Sequence, residues 1–402
     1  MWERLFERIL RSIVKDGTLE LTLPSGRVIV MGHGTPHVKA RITSESRIAA
    51  VVKDPDLGTA EGYMNGEILV EGDKPEDEAL RDFLGLVLDN MRKGHRHWSQ
   101  DAVVRIGKHA RRLSQFNPAP KARKNVAHHY DLSAKLYDIF LDEDRQYSCA
   151  YWPTDDITLE EAQLAKKRHI AKKLLIEPGM RILDIGCGWG GMAITLAEEF
   201  GAEVVGVTLS EEQHKLATER VRRKGLDGKI DIRLQDYRDV EGPFDRIVSV
   251  GMFEHVGQPH YDEYFRKCRT LLKEDGVALI HTIGRTNPPG ITSAFIRKYV
   301  FPGGYIPALS ETSAAIERQG LVTSDLEVWR LHYAKTLRVW ADRFEAGADA
   351  ARALYDDRFV RMWRYYLVAS EMSFVQGQQV VFQFQLARKN DAVPITRDYL
   401  YN

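Results

Sequence analysis

Residues 183 to 191 read Leu183-Asp184-Ile185-Gly186-Cys187-Gly188-Trp189-Gly190-Gly191, an acid-led glycine loop between an apolar run and a stretch with helical spacing. A strand ending at Asp184 must bend sharply into a helix while its backbone approaches a ligand. Glycines permit both the positive φ angles and the close contact. The chain is therefore committed to a strand–turn–helix unit with a nucleotide-type ligand at the turn. Glycine spacing alone leaves the ligand open, because Gly186, Gly188 and Gly191 also satisfy the G-x-G-x-x-G of dinucleotide enzymes.

The next strand, residues 203 to 208, separates the two readings. It runs into Leu209 and Ser210, where a dinucleotide enzyme places an acid for the ribose hydroxyls, and no acid stands there. Asp184, two residues before the first glycine, instead fits the D-x-G-x-G-x-G turn of S-adenosylmethionine (SAM) methyltransferases. Strand and helix patterns alternate around this turn. Helix 160–176, strand 180–185, helix 190–200, strand 203–208, helix 211–224, strands 229–234 and 244–250, helix 259–273 and strand 276–283 lead to a final strand at 378–386. The pattern predicts an α/β fold, a doubly wound, Rossmann-like SAM-dependent methyltransferase sheet of parallel strands.

Ahead of it, residues 1–90 predict a smaller N-terminal α+β domain: an amphipathic opening helix, a hairpin at 19–31, short strands at 38–42 and 67–70, and a helix at 76–91. A basic connector, 91–124, follows with ten Lys or Arg against the single acid Asp101, and two prolines at 118 and 120 mark its end. Residues 125–402 form the catalytic domain, with a Pro-, Gly- and aromatic-rich insertion near 284–309. That insertion reads either as cover over a greasy cavity or as a segment packed on its own sheet.

Lys plus Arg equals Asp plus Glu at 57 each, so the global charge gives no sign of a nucleic-acid partner. Three separated cysteines, Cys149, Cys187 and Cys268, suit a reducing cytoplasm rather than a disulfide framework, and no zinc-ligand spacing is present. No run approaches the roughly 18 apolar residues of a membrane span.

Ligands of open parallel sheets bind beyond the carboxyl ends of the strands. Asp236 and Tyr237 follow one strand end, Glu254 and His255 another, and His281 closes a third. An Asp beside an aromatic suits an adenine amine and ring. Glu254 with His281 reads as a polar pocket. His255 reads equally as a support for the loop that carries Glu254.

Upstream stand Asn125-Val126-Ala127-His128-His129-Tyr130-Asp131-Leu132-Ser133 and Tyr147-Ser148-Cys149-Ala150-Tyr151-Trp152. With the glycine loop, Val207-Thr208-Leu209-Ser210 and Gln213, Gly251-Met252-Phe253-Glu254-His255-Val256-Gly257 and His281-Thr282-Ile283-Gly284, these runs resemble the cyclopropane fatty acid synthase family and its mycolic acid relatives. The resemblance implies SAM contacts at Tyr147, Ser148, Gly186, Gly188, Thr208, Leu209, Gln213, Asp236 and Tyr237. It also implies a bound bicarbonate acting as base, held by Cys149, Glu254, His281, Ile283 and Tyr333.

The chemistry fits these residue types. An alkene is a poor nucleophile and must be held in line with the sulfonium methyl in a dry site. The resulting carbocation calls for aromatic faces, with Phe253, Tyr299, Phe301 and Tyr305 as candidates. The expected reaction is methylene transfer to a cis double bond of an unsaturated phospholipid acyl chain, giving a cyclopropane. A methyl-branched or methyl-alkene product is the alternative.

Family members that act on carrier-bound chains tend to lack a leading domain. Its presence here implies a bilayer substrate, a cytoplasmic enzyme at the inner membrane face, and a basic connector attracted to anionic lipid. The first helix reads rather as core or homodimer packing. Two other classes compete: a dinucleotide oxidoreductase, and a lipid-binding protein that keeps a decayed fold.

Overall fold

The computed structural model describes residues 1–95 and 134–401. Most of the basic connector, its two prolines and the run at 125–133 lie outside these residues. The described chain forms two compact units, and neither is one continuous stretch: residues 290–300 and 334–378 belong with residues 1–95. The sequence-derived boundaries thus miss two returns of the chain.

In this first unit, α1 (Trp2–Ile13) turns Phe6 inward, and β1 (Asp16–Thr22), β2 (Val28–Ile42) and β3 (Ile68–Glu71) make a three-stranded sheet. The long β2 doubles back, so that Leu19 of β1 faces both Met31 and Val38. Phe6, Leu19, Leu21, Ile29, Met31 and Leu86 share one core, so the apolar stripe of the first helix is covered within the unit. Two helices were not legible in the sequence, α2 (Glu45–Lys53) and α3 (Pro55–Met64). Gly58 of α3 sits so close to Ala50 that an added Cβ would lie 2.7 Å from its backbone. Close backbone packing replaces the apolar stripe by which a helix is usually recognised.

The returning segments are tied in by charge. Arg81 of α4 (Glu76–Arg92), 5% exposed, donates to Asp77 at 2.6 Å and to Glu371 of the helix Asp357–Val375 at 2.7 Å. The Asp56 carboxylate accepts from Ser293 Oγ at 2.8 Å and Ala294 N at 2.6 Å. Tyr299 donates to Glu61 at 2.8 Å, and its ring lies 5.1 Å from the Lys298 ammonium and 5.7 Å from the Arg358 guanidinium. Tyr299 is therefore already engaged with two cations inside this unit, which corrects its reading as a face for the substrate cation.

The second unit is built on a seven-stranded sheet ordered β6-β5-β4-β7-β8-β10-β9. β4 (Arg181–Ile185), β5 (Glu203–Thr208), β6 (Ile230–Leu234), β7 (Phe244–Val250) and β8 (Leu272–Arg285) are parallel. β10 (Gln379–Ala387) runs antiparallel between β8 and β9 (Val322–Trp329), so the sheet is mixed rather than wholly parallel. β9 carries Asp325 and Glu327, which pair with Arg397 and with Lys173, and these acids hid the strand in the sequence.

Alternate residues feed two cores, one on each face: Ile182, Val204, Val248 and Leu279 on one side, Leu183, Val205, Ile247 and Ala278 on the other. Four helices that bear on the site flank this sheet: α6 (Leu159–Lys173), which follows the short α5 (Ala134–Phe140), then α7 (Gly191–Phe200), α8 (Glu211–Arg223) and α9 (Tyr261–Leu271).

Gly284 on β8 lies against the fully buried Phe382 of β10, and an added Cβ would overlap the ring. Gly284→Ala is expected to lower unfolding free energy by about 2 kcal/mol through overpacking, measured by urea denaturation.

Candidate active site

The turn after β4 is fastened by one carbonyl. Val207 O accepts from both Gly186 N and Cys187 N at 3.0 Å, joining the glycine loop to the end of β5. Gly186, Gly188 and Gly190 have φ of 83°, 55° and 81°, conformations that side chains resist. A Cβ on Gly188 would meet nothing within 4 Å, so the backbone there faces open space.

That space is a cleft of about 820 Å³ when the open solvent over it is counted, lined by Gly186, Gly188, Thr208, Leu209, Gln213, Asp236 and Tyr237 among others. A second cleft of about 520 Å³ shares Gly186, Gly188 and Gln213 and adds Tyr147, Ser148 and Asp184. The nine sequence-selected cofactor positions thus line two clefts that meet at Gly186, Gly188 and Gln213. Thr208 Oγ1 donates to Gln213 Oε1 at 2.8 Å, holding the side chain that both clefts share. The Tyr237 ring stands edge-on to Tyr264 at 5.4 Å. Asp236 is gripped by Arg238, whose Nε and Nη2 donate to its two oxygens at 2.9 and 2.7 Å. Sequence reasoning passed over Arg238. An acid–x–base triplet at a strand end was its only signal.

Three of the five expected anion-site residues, Glu254, His281 and Ile283, stand on β8 and the loop after β7, while Cys149 and Tyr333 come from elsewhere in the chain, and none of the five lines either cleft. Glu254 Oε1 accepts from Ile283 N at 2.7 Å, while the buried Oε2 has no hydrogen-bond partner among the described residues. The Ile283 N–H is therefore spent on Glu254, and its part is to aim that carboxyl rather than to face a ligand. Burial pushes the Glu254 carboxyl up to about 7. His281, 2% exposed, has Nδ1 3.0 Å from Gln383 Nε2 and stands edge-on to Trp329 at 5.2 Å. Burial, reinforced by the nearby Lys166 and Lys173 charges, holds the imidazole well below its usual range and hence neutral.

Cys149 is fully buried beside Ser148. Tyr333, 8% exposed, follows His332, whose Nδ1 accepts from Trp152 N at 3.0 Å. His255 is half-buried and lines the first cleft, and desolvation takes its imidazole down to about 4.

The aromatic candidates divide. Phe301 lies 6.3 Å from Tyr147 and 5.9 Å from His255, bridging lining residues of the two clefts. Phe253 turns into the core, stacked on Tyr261 at 4.4 Å, and Tyr305 is buried with its hydroxyl donated to Glu311 at 2.6 Å. Both are corrected to core residues, since their polar or flat faces are already occupied by protein.

Sequence reasoning also missed Lys166. Its ammonium is fully buried and donates to Gln146 Oε1 at 2.7 Å and Ser148 Oγ at 2.8 Å. A lysine in register with Leu159, Ala162 and Ile170 on one helical stripe was the available signal.

Folding raises the Glu254 pKa from 4.5 to about 7. Stability from this carboxyl is therefore whole below the unfolded value and is lost as pH rises through the folded one. At ~1.4 kcal/mol per unit the loss is at most roughly 3 kcal/mol. Glu254→Gln keeps an acceptor for Ile283 but does not ionise. Its stability relative to the unaltered protein is expected to improve between pH 5 and 7 and to level off above that in urea titrations, and a flat difference would show a carboxyl that does not titrate.

Comparison with known proteins agrees with this architecture. The family described as mycolic acid cyclopropane synthetase matches residues 118–384. The chain is 39% identical over 357 residues to the cyclopropane-fatty-acyl-phospholipid synthase of Escherichia coli strain K12, covering 87% of this chain and 89% of that one. It is 41% identical over 287 residues to a probable fatty acid methyltransferase of Pseudomonas putida, covering 69% and 73%. Its fold is similar to the mycolic acid cyclopropane synthase CmaA1 complexed with SAH and CTAB, with a TM-score of 0.63 and 34% identity over 68% of this chain and 99% of that one. An enzyme of the SAM-dependent methyltransferase class, the chain belongs to the mycolic acid cyclopropane synthetase family.

Proposed function

We propose that this enzyme adds a methylene from SAM across the cis double bond of an unsaturated phospholipid acyl chain, forming a cyclopropane ring. The observation that carries the reading is the pair of clefts that share Gly186 and Gly188, together with a buried, protonatable Glu254 adjacent in sequence to His255 of the first cleft's lining. The relative from Escherichia coli, named for the same reaction and aligned over most of both chains, supports it.

SAM, when bound, supplies an electrophilic methyl. Asp236 and Tyr237 suit its adenine, with Thr208, Leu209 and Gln213 along one wall and Tyr147 and Ser148 along the other. Phe301 beside Tyr147 offers a π face to positive charge developing on the alkene, without a nucleophile that would trap it.

Ring closure needs a base for the transferred methyl, and bicarbonate, when bound, supplies one. The residues present suit a small anion. Glu254, uncharged below about pH 7, can donate through its unpartnered oxygen, and neutral His281 adds a ring N–H. Cys149 and Tyr333 complete the proposed set, with Ile283 holding Glu254 in place. An ionised carboxylate in their stead would repel the anion or be alkylated.

A second reading, methyl transfer without ring closure, is favoured by the likeness to the probable fatty acid methyltransferase of Pseudomonas putida. The two products gain the same CH₂, so proton NMR of the lipid after incubation with SAM decides between cyclopropane and methyl signals. Glu254→Gln and His281→Ala are each expected to lower turnover at least 100-fold while SAM affinity by calorimetry changes less than about threefold. Affinity lost in step with turnover would contradict that division of labour.

No helix among the described residues is long and apolar enough to cross a membrane. Peripheral attachment at the inner face, through the cations of the connector, is part of the proposal, as is a homodimer. Vesicle co-sedimentation is expected to weaken as salt rises from 50 to 500 mM, and a salt-independent result would exclude an electrostatic footprint.

A further inference from the structure

We propose that Lys166 is a positioning residue for the methionine end of the cofactor, acting through the 142–148 segment; this rests on the SAM reading above. One face of α6 carries Gln163, Lys166 and Lys167, spaced three and four apart, and all three reach the same segment. Gln163 Nε2 donates to the carbonyls of Gln146 and Ser148 at 3.1 and 2.9 Å. Lys166 donates to the side chains of the same two residues, and Lys167 donates to Asp144 Oδ2 at 2.5 Å. From the other side, Arg220 of α8 pairs with Asp144 and donates to Trp189 O in the glycine loop at 2.7 Å.

The segment is pressed against the start of α7. A Cβ on Gly191 would overlap Gln146 Nε2 and Asp144 Oδ2, so any shift of the segment reshapes the wall of the cleft. That cleft holds Asp184, whose buried Oδ2 has no partner among the described residues, together with Ser148, Gln146 and Arg145. Such a polar end suits an ammonium and a carboxylate, whereas Asp236 and Tyr237, absent from its lining, suit the base and ring at the opposite end.

Lys166 is central to that polar end. Burial lowers the pKa of its amine and Lys167 adds to that effect, while the Asp142 and Asp144 carboxyls offset it; its charge in turn acts on Asp184 and on His281 of β8. A buried lysine is costly unless its donors are used, and here two of its three donors fix atoms of the segment that lines the cleft. Lys166 itself lines neither cleft. Its effect on the ligand passes through Gln146, Ser148 and Asp184.

The test compares two probes on the full-length enzyme by calorimetry: S-adenosylhomocysteine, and 5′-methylthioadenosine, which shares the nucleoside and sulfur but lacks the amino-acid end. Lys166→Met is expected to weaken S-adenosylhomocysteine at least tenfold and to leave 5′-methylthioadenosine within about twofold. Gln163→Leu, which frees two carbonyls of the segment without altering charge, is expected to show the same split and serves if the first variant does not fold. Equal loss of both probes, or loss of neither, overturns the proposal and leaves the SAM reading standing. Failure of the unaltered enzyme to bind either probe would overturn both.

Discussion

Two hydrogen bonds to a single oxygen, Val207 O accepting from Gly186 and Cys187, fix where β4 stops and the glycine turn begins. The rest of the site is measured from that point. The turn must reverse within a few residues, which requires left-handed backbone at Gly186, Gly188 and Gly190. The reversal presents bare backbone to the hollow and sets the first turn of α7 against the 142–148 segment. Thr208 and Gln213 follow directly, since the strand that supplies Val207 also leads into α8. A side chain at Gly186 or Gly188 would strain the left-handed backbone that the turn requires, and at Gly186 it would also press on Met252.

The second constraint is dryness. Glu254, His281, Lys166 and Asp184 are all buried ionisable groups, and each is shifted toward its uncharged form. This is an expensive arrangement in stability. It makes chemical sense for the proposed reaction, in which a carbocation would have to survive until a proton leaves, because water or an unprotected anion would quench it.

Legibility followed the range over which each feature is encoded. The glycine turn and the five parallel strands are local patterns, and the nine positions proposed for the cofactor sit in or near such motifs and line two clefts that share Gly186, Gly188 and Gln213. What escaped depends on distant partners. β9 looked too acidic for a strand until Arg397 and Lys173 were seen to pair with its acids. Residues 290–300 looked like part of a cover until Asp56 and Glu61 were seen to claim Ser293, Lys298 and Tyr299. Phe253 carried a motif position and an aromatic ring, yet its direction is set by Tyr261 and Tyr264, which no spacing rule reports. Lys166 was hidden for the opposite reason, since a lysine on a helix is ordinarily taken for a solvated one.

The position of β10 has a consequence for how the protein comes into being. It is the last strand of the described chain, yet it lies inside the sheet, between β8 and β9, and its Gln383 meets His281. While the chain is still emerging from the ribosome, β8 therefore has a bare edge, and His281 has no Gln383 beside it. The histidine at the heart of the proposed chemistry gains this neighbour only when the end of the sheet has been translated. The surroundings of His281 are thus completed only after every other strand of this sheet has been made.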